Sequence, residues 1–430
     1  MLNNRYISYL EALNNPFQKL SRLEFLQPDE SVAFVLDNKE PVPGYNSTHD
    51  SRAFIQSGSL SVSLQNGTRR KATIQLSNED GSYDYAVNKL WFGQKIRLSM
   101  GLVLPDGTEF YLPQGVFYIK DPQNVYNPTQ RVVTLPLVDK WSYLNGDLLG
   151  NLERSYEIPA DTNIFDAALT ILHQNKYEWG ETQDPIKMID SKMPVFTDYY
   201  NGKTYTVPTD DQGGTRTVSM TDTGYTITTA KTGGTFAKVL LELNSQFTGW
   251  IGYDQTGALR IDASQNDISD ADKPILWTFS PDLITLLGIT ETSKNSDVYN
   301  DVRIVGEGLD GFEISGRAQN YDPRSDTNIN LIGRRTYTEE KAEYWNDQQC
   351  QDMAEYLLKK KTVLQKTISI SCQQMFHLYE NGVVAIRRTD KVGSPVERHL
   401  IQSFSIPIGE TGAMTINATS VNDYPDITVS

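Results

Sequence analysis

Gly58-Ser-Leu-Ser-Val-Ser-Leu64, then Asn66-Gly67, then Lys71-Ala-Thr-Ile-Gln-Leu76 carries the clearest structural signal in the chain. Leu60, Val62 and Leu64 alternate with serines, so one face of an extended chain is apolar and the other polar. Asn and Gly tolerate the positive φ of a tight hairpin turn, and the partner segment repeats the alternation with Ala72, Ile74 and Leu76. The spacing predicts a β-hairpin with one buried face.

The same pattern continues on both sides. Upstream, Arg22 to Leu26 and Ser31 to Leu36 read as strands, preceded by a helix over residues 3–13. That helix carries Tyr6, Ile7, Leu10 and Leu13 on one face and stops at Asn14-Asn15-Pro16. Downstream, strands are predicted at Lys95–Leu104, Phe110–Leu112, Gly115–Lys120 and Arg131–Val138. Pro105-Asp106-Gly107 and Asp121-Pro-Gln-Asn124 punctuate them, and this regular spacing argues for a β-sandwich or barrel.

From residue 161 the period changes to 3.6. Asp161-Thr162 is placed to cap a helix carrying Ile164, Phe165, Ala168, Leu169 and Leu172. A second helix, capped by Thr235, carries Phe236, Val239, Leu240, Leu243 and Phe247 on one stripe, which is expected to pack against the β domains. Between them, residues 184–234 hold twelve threonines and read as an inserted small sheet or extended excursion. Strands return at Val302–Val305, Gly311–Ser315, Lys366–Cys372, Val383–Arg388, His399–Ile408 and Ala413–Val421. One long helix, Thr338 to Lys361, is predicted among them, with Ala342, Trp345, Met353 and Leu357 on a stripe and a solvated end at Lys359–Lys361.

Composition bounds the function. The chain has 430 residues, with 38% hydrophobic and 22% charged, which excludes wholesale disorder. A net charge of −15 argues against a surface that holds nucleic acid by counterion release. Cys350 and Cys372 are too few for a disulfide framework or a four-cysteine zinc site. No signal peptide or stretch of about 20 apolar residues is read, so stable membrane insertion is not expected.

No motif marks an enzyme. His49, His173, His377 and His399 form no HExxH pair, and no nucleophile elbow or phosphate-binding P-loop occurs. Gly306-Glu-Gly308 follows a strand but leads into another strand, so no dinucleotide site is implied. Asn78-Glu-Asp-Gly-Ser-Tyr-Asp84 superficially resembles a calcium loop but lacks its twelfth-position acid; a turn is the better reading. No catalytic, cofactor-binding or metal-ligating residue is therefore assigned.

The order of segments resembles the baseplate hub or tail-tip hub proteins of tailed bacteriophages and related contractile injection systems. Arg69-Arg-Lys-Ala-Thr-Ile-Gln-Leu-Ser-Asn78, Leu90-Trp-Phe-Gly-Gln-Lys-Ile-Arg-Leu98, Leu112-Pro-Gln-Gly-Val-Phe-Tyr-Ile119 and Leu137-Val-Asp-Lys-Trp141 resemble the first tube-like β domain. Pro159 to Ala168 and Phe236 to Leu243 resemble its central helical segments, with Trp250 to Arg260 as the strand–turn–strand after them. Tyr299 to Gly306 and Glu380 to Ile386 resemble the second tube-like domain.

The resemblance implies a mainly β fold with some α (α+β), in which two tube-like β-barrel or sandwich domains are joined by a central helical region. Its expected parts are an N-terminal helix (1–19), a first tube domain (20–155), a central region (156–294) with the 184–234 insertion, and a second tube domain (295–430) holding the 338–361 helix. It further implies a non-enzymatic homotrimer in the virion tail tip or baseplate, assembled in the host cytoplasm. The trimer would adapt a sixfold tail tube to a threefold tip and form part of the DNA exit channel. Expected partners are the tail tube or distal tail ring protein, the tape measure protein and tip spike or fibre proteins, with DNA passing but not specifically bound. The acidic charge would then line the channel and repel the duplex. A cell-wall polysaccharide hydrolase and a receptor-binding adhesin are the alternatives, the latter using Tyr199, Tyr200, Tyr205 and Tyr225.

Overall fold

The computed structural model describes residues 4–27, 31–38, 55–78, 81, 83, 94–127, 130–153, 155–172, 186–187, 204–208, 214–219, 222–223, 226–229, 234–245, 249–263, 273–293, 295–307, 313–341, 344, 347–362, 366–409 and 412–421. Strand dominates at 51%, with 17% helix, so the fold is mainly β with some α.

Helix α1 (Asn4–Ala12) leads into β1 (Lys19–Leu26), β2 (Val32–Asp37), β3 (Ile55–Ser63), β4 (Arg70–Ser77), β5 (Lys95–Val103), β6 (Glu109–Ile119), β7 (Gln123–Asn127) and β8 (Gln130–Asp139). A central region follows: β9 (Tyr156–Ile158), α2 (Ile164–Leu172), β10 (Ile186–Lys187), β11 (Thr204–Pro208), β12 (Thr215–Ser219), β13 (Ile227–Thr229), α3 (Phe236–Ser245), β14 (Gly249–Tyr253) and β15 (Leu259–Ala263). The last part comprises β16 (Ile275–Phe279), β17 (Leu286–Ser293), β18 (Asp301–Glu307), β19 (Glu313–Gln319), α4 (Ile329–Ile332), β20 (Thr336–Lys341), α5 (Asp347–Lys361), β21 (Lys366–Cys372), β22 (Val383–Arg387), β23 (Val396–Ile408) and β24 (Met414–Ser420).

The β-halves at the two ends of the chain form one 14-stranded sheet. Its first half runs β3-β4-β8-β6-β5-β1 and its second β17-β21-β24-β23-β22-β16. Taken in chain order these are the same path: β1, β3, β4, β5, β6 and β8 occupy the places of β16, β17, β21, β22, β23 and β24. Inward residues match as well, Ile74 facing Leu135 as Ile370 faces Ile416. Even a bulge recurs at one place, between Ile55 and Ser57 in β3 and between Leu286 and Gly288 in β17. The halves differ at one end, where β1–β5 is antiparallel and β16–β22 parallel. They join where β3 pairs antiparallel with Ser403–Ile408 of β23. A single apolar core spans both, from Leu60, Ile74 and Phe117 to Ile370, Val384 and Phe404.

The second half carries an insertion between β17 and β21, at the place of the Asn66-Gly67 turn. There β18 pairs antiparallel with β19 and parallel with β20, and α5 covers them over a separate core of Val302, Ile304, Ala354 and Leu358. Close approach explains Gly316: a Cβ there would stand 2.2 Å from the Gln351 nitrogen. The long helix expected from Thr338 therefore begins at Asp347. Thr336-Tyr-Thr-Glu-Glu-Lys341 instead completes the parallel ladder, its β-branched and aromatic residues suiting a strand.

Four smaller corrections follow. Phe110–Leu112 and Gly115–Lys120 belong to one strand, β6, because the register shift opposite Leu98/Ser99 accommodates Pro113 and leaves Gln114 as a bulge. The α2 cap is Asn163, whose Oδ1 accepts the Asp166 N–H at 3.3 Å, rather than Asp161-Thr162. Ile7 on α1 is exposed, whereas Tyr9 and Leu13 are buried. The α3 stripe of Phe236, Val239, Leu240 and Leu243 is buried in a core of its own with Ile164, Ile171, Ile251 and Trp141, rather than against the large sheet; Phe247 lies outside the described residues. Within the threonine-rich stretch, β11 and β12 form a hairpin and β13 pairs with β9.

Candidate functional site

A buried polar constellation lies where the two β-halves meet the central region. The β3–β4 turn delivers Arg69 and Arg70, with side chains 0% and 1% exposed. Asp139 at the end of β8 accepts the N–H groups of Arg69 at 2.8 Å and Arg70 at 3.0 Å through Oδ2, and that of Trp141 at 3.2 Å through Oδ1. Burial pushes the Asp139 carboxyl up to about 6, and these three donors oppose the shift by favouring the anion.

The arginine side chains reach the second half. Arg70 ion-pairs and hydrogen-bonds with Glu380 through Nη2, and Arg69 Nη1 lies 3.9 Å from the other carboxylate oxygen. Gln114, the bulged residue of β6, accepts Arg70 Nη1 on its carbonyl at 2.9 Å and donates its amide to the Phe376 carbonyl at 2.8 Å. The bulge thus turns one residue toward both partners.

The central region closes the third side. Gly67 donates to the Ile251 carbonyl at 2.8 Å, while Asn66 Oδ1 accepts the Ile251 N–H at 2.9 Å. Gly252 leaves room for Arg69, since a Cβ there would come within 2.5 Å of Nε. Lys140 donates to the Gly257 carbonyl at 3.2 Å, and the Arg260 guanidinium lies 5.7 Å from the centre of the Tyr379 ring. A buried pair of this kind adds little net stability, yet removing one partner leaves an uncompensated buried charge. The constellation suits a rigid three-way joint.

The remaining residues of interest are placed as follows. Cys350 and Cys372 are buried, and burial pushes their thiols up to about 11 and 12, away from nucleophilic reactivity. His377 packs among Tyr6, Tyr9 and Trp277 with Nδ1 3.1 Å from the Tyr9 hydroxyl. Burial lowers both His377 and His399 to about 4. Asn78 forms a turn, its backbone carbonyl accepting Gly81 N–H and its side chain accepting Tyr83 N–H. Gly306 sits inside β18, where a Cβ would stand 2.8 Å from the Tyr344 carbonyl. The lysine run is not merely solvated: Lys361 Nζ lies 3.7 Å from the Tyr337 ring centre. Tyr205 lies in β11, whereas His49, His173, Tyr199, Tyr200 and Tyr225 are outside the described residues. Sequence reading missed Glu380 and Gln114; the only signal available was the paired charge of Arg69-Arg70 beside apolar strands.

By sequence, no family model and no curated protein matches the chain. By structure it is similar to a tail protein from Neisseria meningitidis MC58, with a TM-score of 0.56 at 10% identity over 94% of this chain and 97% of that one. It is also similar to the 43 kDa tail protein of prophage MuSo2 from Shewanella oneidensis, with a TM-score of 0.53 at 12% identity over 96% and 100%. A chain of the lidded Francisella PdpA–VgrG complex matches at TM-score 0.50 and 9% identity, over 99% of this chain and 58% of that one. The chain has the fold of the Neisseria and Shewanella tail proteins.

Proposed function

We propose that this chain is a structural, non-enzymatic tail-tip or baseplate hub of a phage-like particle, acting as a homotrimer on the tail axis. The observation that carries the reading is the strand order written twice along one chain, with the two copies fused edge to edge. Three copies supply six equivalent units around an axis, matching a sixfold tube at one end and a threefold tip at the other. The two sheet halves are the tube units, bounded at roughly 20–155 and 295–430, and β16–β17 (residues 275–293) extends the second unit toward the centre. The buried Arg–Glu joint supports this role, because an adapter between tube and tip holds its units at fixed angles.

DNA passes through the ring without specific binding, and the net charge of −15 favours a lumen that repels the duplex. Its partners are the tail tube or distal ring, the tape measure protein and a spike or fibre. Among the described residues no helix is long and apolar enough to cross a membrane. Imaging of tails carrying a labelled chain tests the proposal. Three axial copies are expected; a peripheral position would favour an adhesin, and clearing of cell-wall substrate by the purified chain would favour a hydrolase.

A further inference from the structure

The repeated strand order leaves one unmatched edge on each half. In the joint within the chain, β3 lies along Ser403–Ile408 of β23, continuing the line of β22 on the same edge. The counterpart of β3 is β17, which among the described residues pairs with β21 alone. The counterpart of that part of β23 is β7, which carries on from β6 along β8 as the end of β23 carries on along β24. Among the described residues β7 pairs with β8 alone.

Both edges expose apolar side chains: Tyr126 is 78% and Leu287 63% accessible. Neither strand contains a lysine or proline, and the one charged residue on them, Glu291, is ion-paired with Arg388 and Lys366 of its own copy. We propose that β17 of one copy pairs antiparallel with β7 of a second copy, repeating between subunits the β3–β23 joint found within one.

The ladders also give the register. Aligning Ile74 with Ile370 and Leu135 with Ile416 makes Thr292, Glu291, Thr290 and Ile289 the counterparts of Ser61, Leu60, Ser59 and Gly58. On the receiving strand, Gln123, Asn124, Val125 and Tyr126 are the counterparts of Ser405, Ile406, Pro407 and Ile408. The observed pairs Ser405–Ser61, Ile406–Leu60, Pro407–Ser59 and Ile408–Gly58 then translate into Gln123–Thr292, Asn124–Glu291, Val125–Thr290 and Tyr126–Ile289. Tyr126 would cover Ile289 and its exposed neighbour Leu287. Each copy offers both edges, so the contact is head-to-tail, and it forms a ring when the rotation from copy to copy divides a full turn. That the ring holds three copies rests on the function proposed above.

The test is cysteine cross-linking of the full chain in assembled tails. Directly opposed antiparallel residues have Cα atoms about 4.5–5.5 Å apart, within disulfide reach, whereas a two-residue slip moves them beyond it. Tails carrying Val125→Cys with Thr290→Cys should run as a covalent trimer on non-reducing gels, and Val125→Cys with Thr292→Cys should remain monomeric. Three axial copies without a cross-link would overturn the edge pairing and leave the trimer standing. Equal cross-linking by both pairs, or a product that stops at dimer, would overturn the register or the ring. A copy number other than three would overturn the trimer itself.

Discussion

Removing the Glu380 carboxylate is the sharpest test of the three-way joint. In Glu380→Ala, two guanidiniums with side chains 0% and 1% exposed lose the carboxylate that faces them across the join of the two halves. Stripping one partner from a buried pair typically costs about 3–5 kcal/mol, because the remaining charge stays desolvated. At about 2–4 °C per kcal/mol for a cooperative unit of ~150–250 residues, the melting temperature should fall by roughly 6–20 °C. Glu380→Gln keeps the shape and one acceptor, so it should lose less. The assay is thermal unfolding by circular dichroism for a cycle of Arg70→Met, Glu380→Gln and the double variant, with a coupling of about 1 kcal/mol or more expected. A fall of under about 2 °C in Glu380→Ala, together with no coupling, would refute the reasoning.

Three further outcomes are expected. Leu243→Ala should cost about 2–5 kcal/mol by urea unfolding through the cavity it leaves in the central core; an unchanged midpoint would mean the stripe is not packed. Burial holds His377 near 4 against an ordinary 6.5, so the unfolded chain takes the proton first. The His377 contribution to stability should therefore fall as pH drops from about 6.5 to 4, by up to about 3 kcal/mol, and is read as the difference between the pH profiles of the native chain and His377→Gln. Asp139, raised to about 6, acts in the opposite sense: its contribution is present at low pH and is lost as pH rises through 6. Cys350 and Cys372 should resist a thiol reagent in the native protein and react fully in denaturant; fast native labelling would contradict their burial.

Local pattern made the strands legible. The serine–leucine alternation at residues 58–64 became β3, and the Asn66-Gly67 turn lies where the hairpin needs it, with Gly67 at φ 90°. The α3 stripe was equally plain, since four of its apolar residues fall on one buried face. Failures arose where tertiary pairing overrides local preference. Residues 338–341 carry two glutamates and a lysine, compatible with a helix, yet β18 offers them a parallel partner. The bulge at Gln114 was invisible because it exists only relative to β5. Glu380 meets Arg70 across 310 positions of sequence, a distance no periodicity spans.

The β3–β23 joint also imposes an order on biosynthesis. Ser63 pairs with Ser403, so 403 − 63 = 340 residues must be added before the edge of β3 is closed. At about 5–20 residues per second, translation leaves that edge open for roughly 17–70 s, with Leu60 and Val62 beside it. The first half thus leaves the ribosome unfinished, dependent on nearly the last strand for its seal. A chain cut short before Val396 would lack that seal and keep an unpaired strand available for aggregation, rather than yielding a soluble half-molecule.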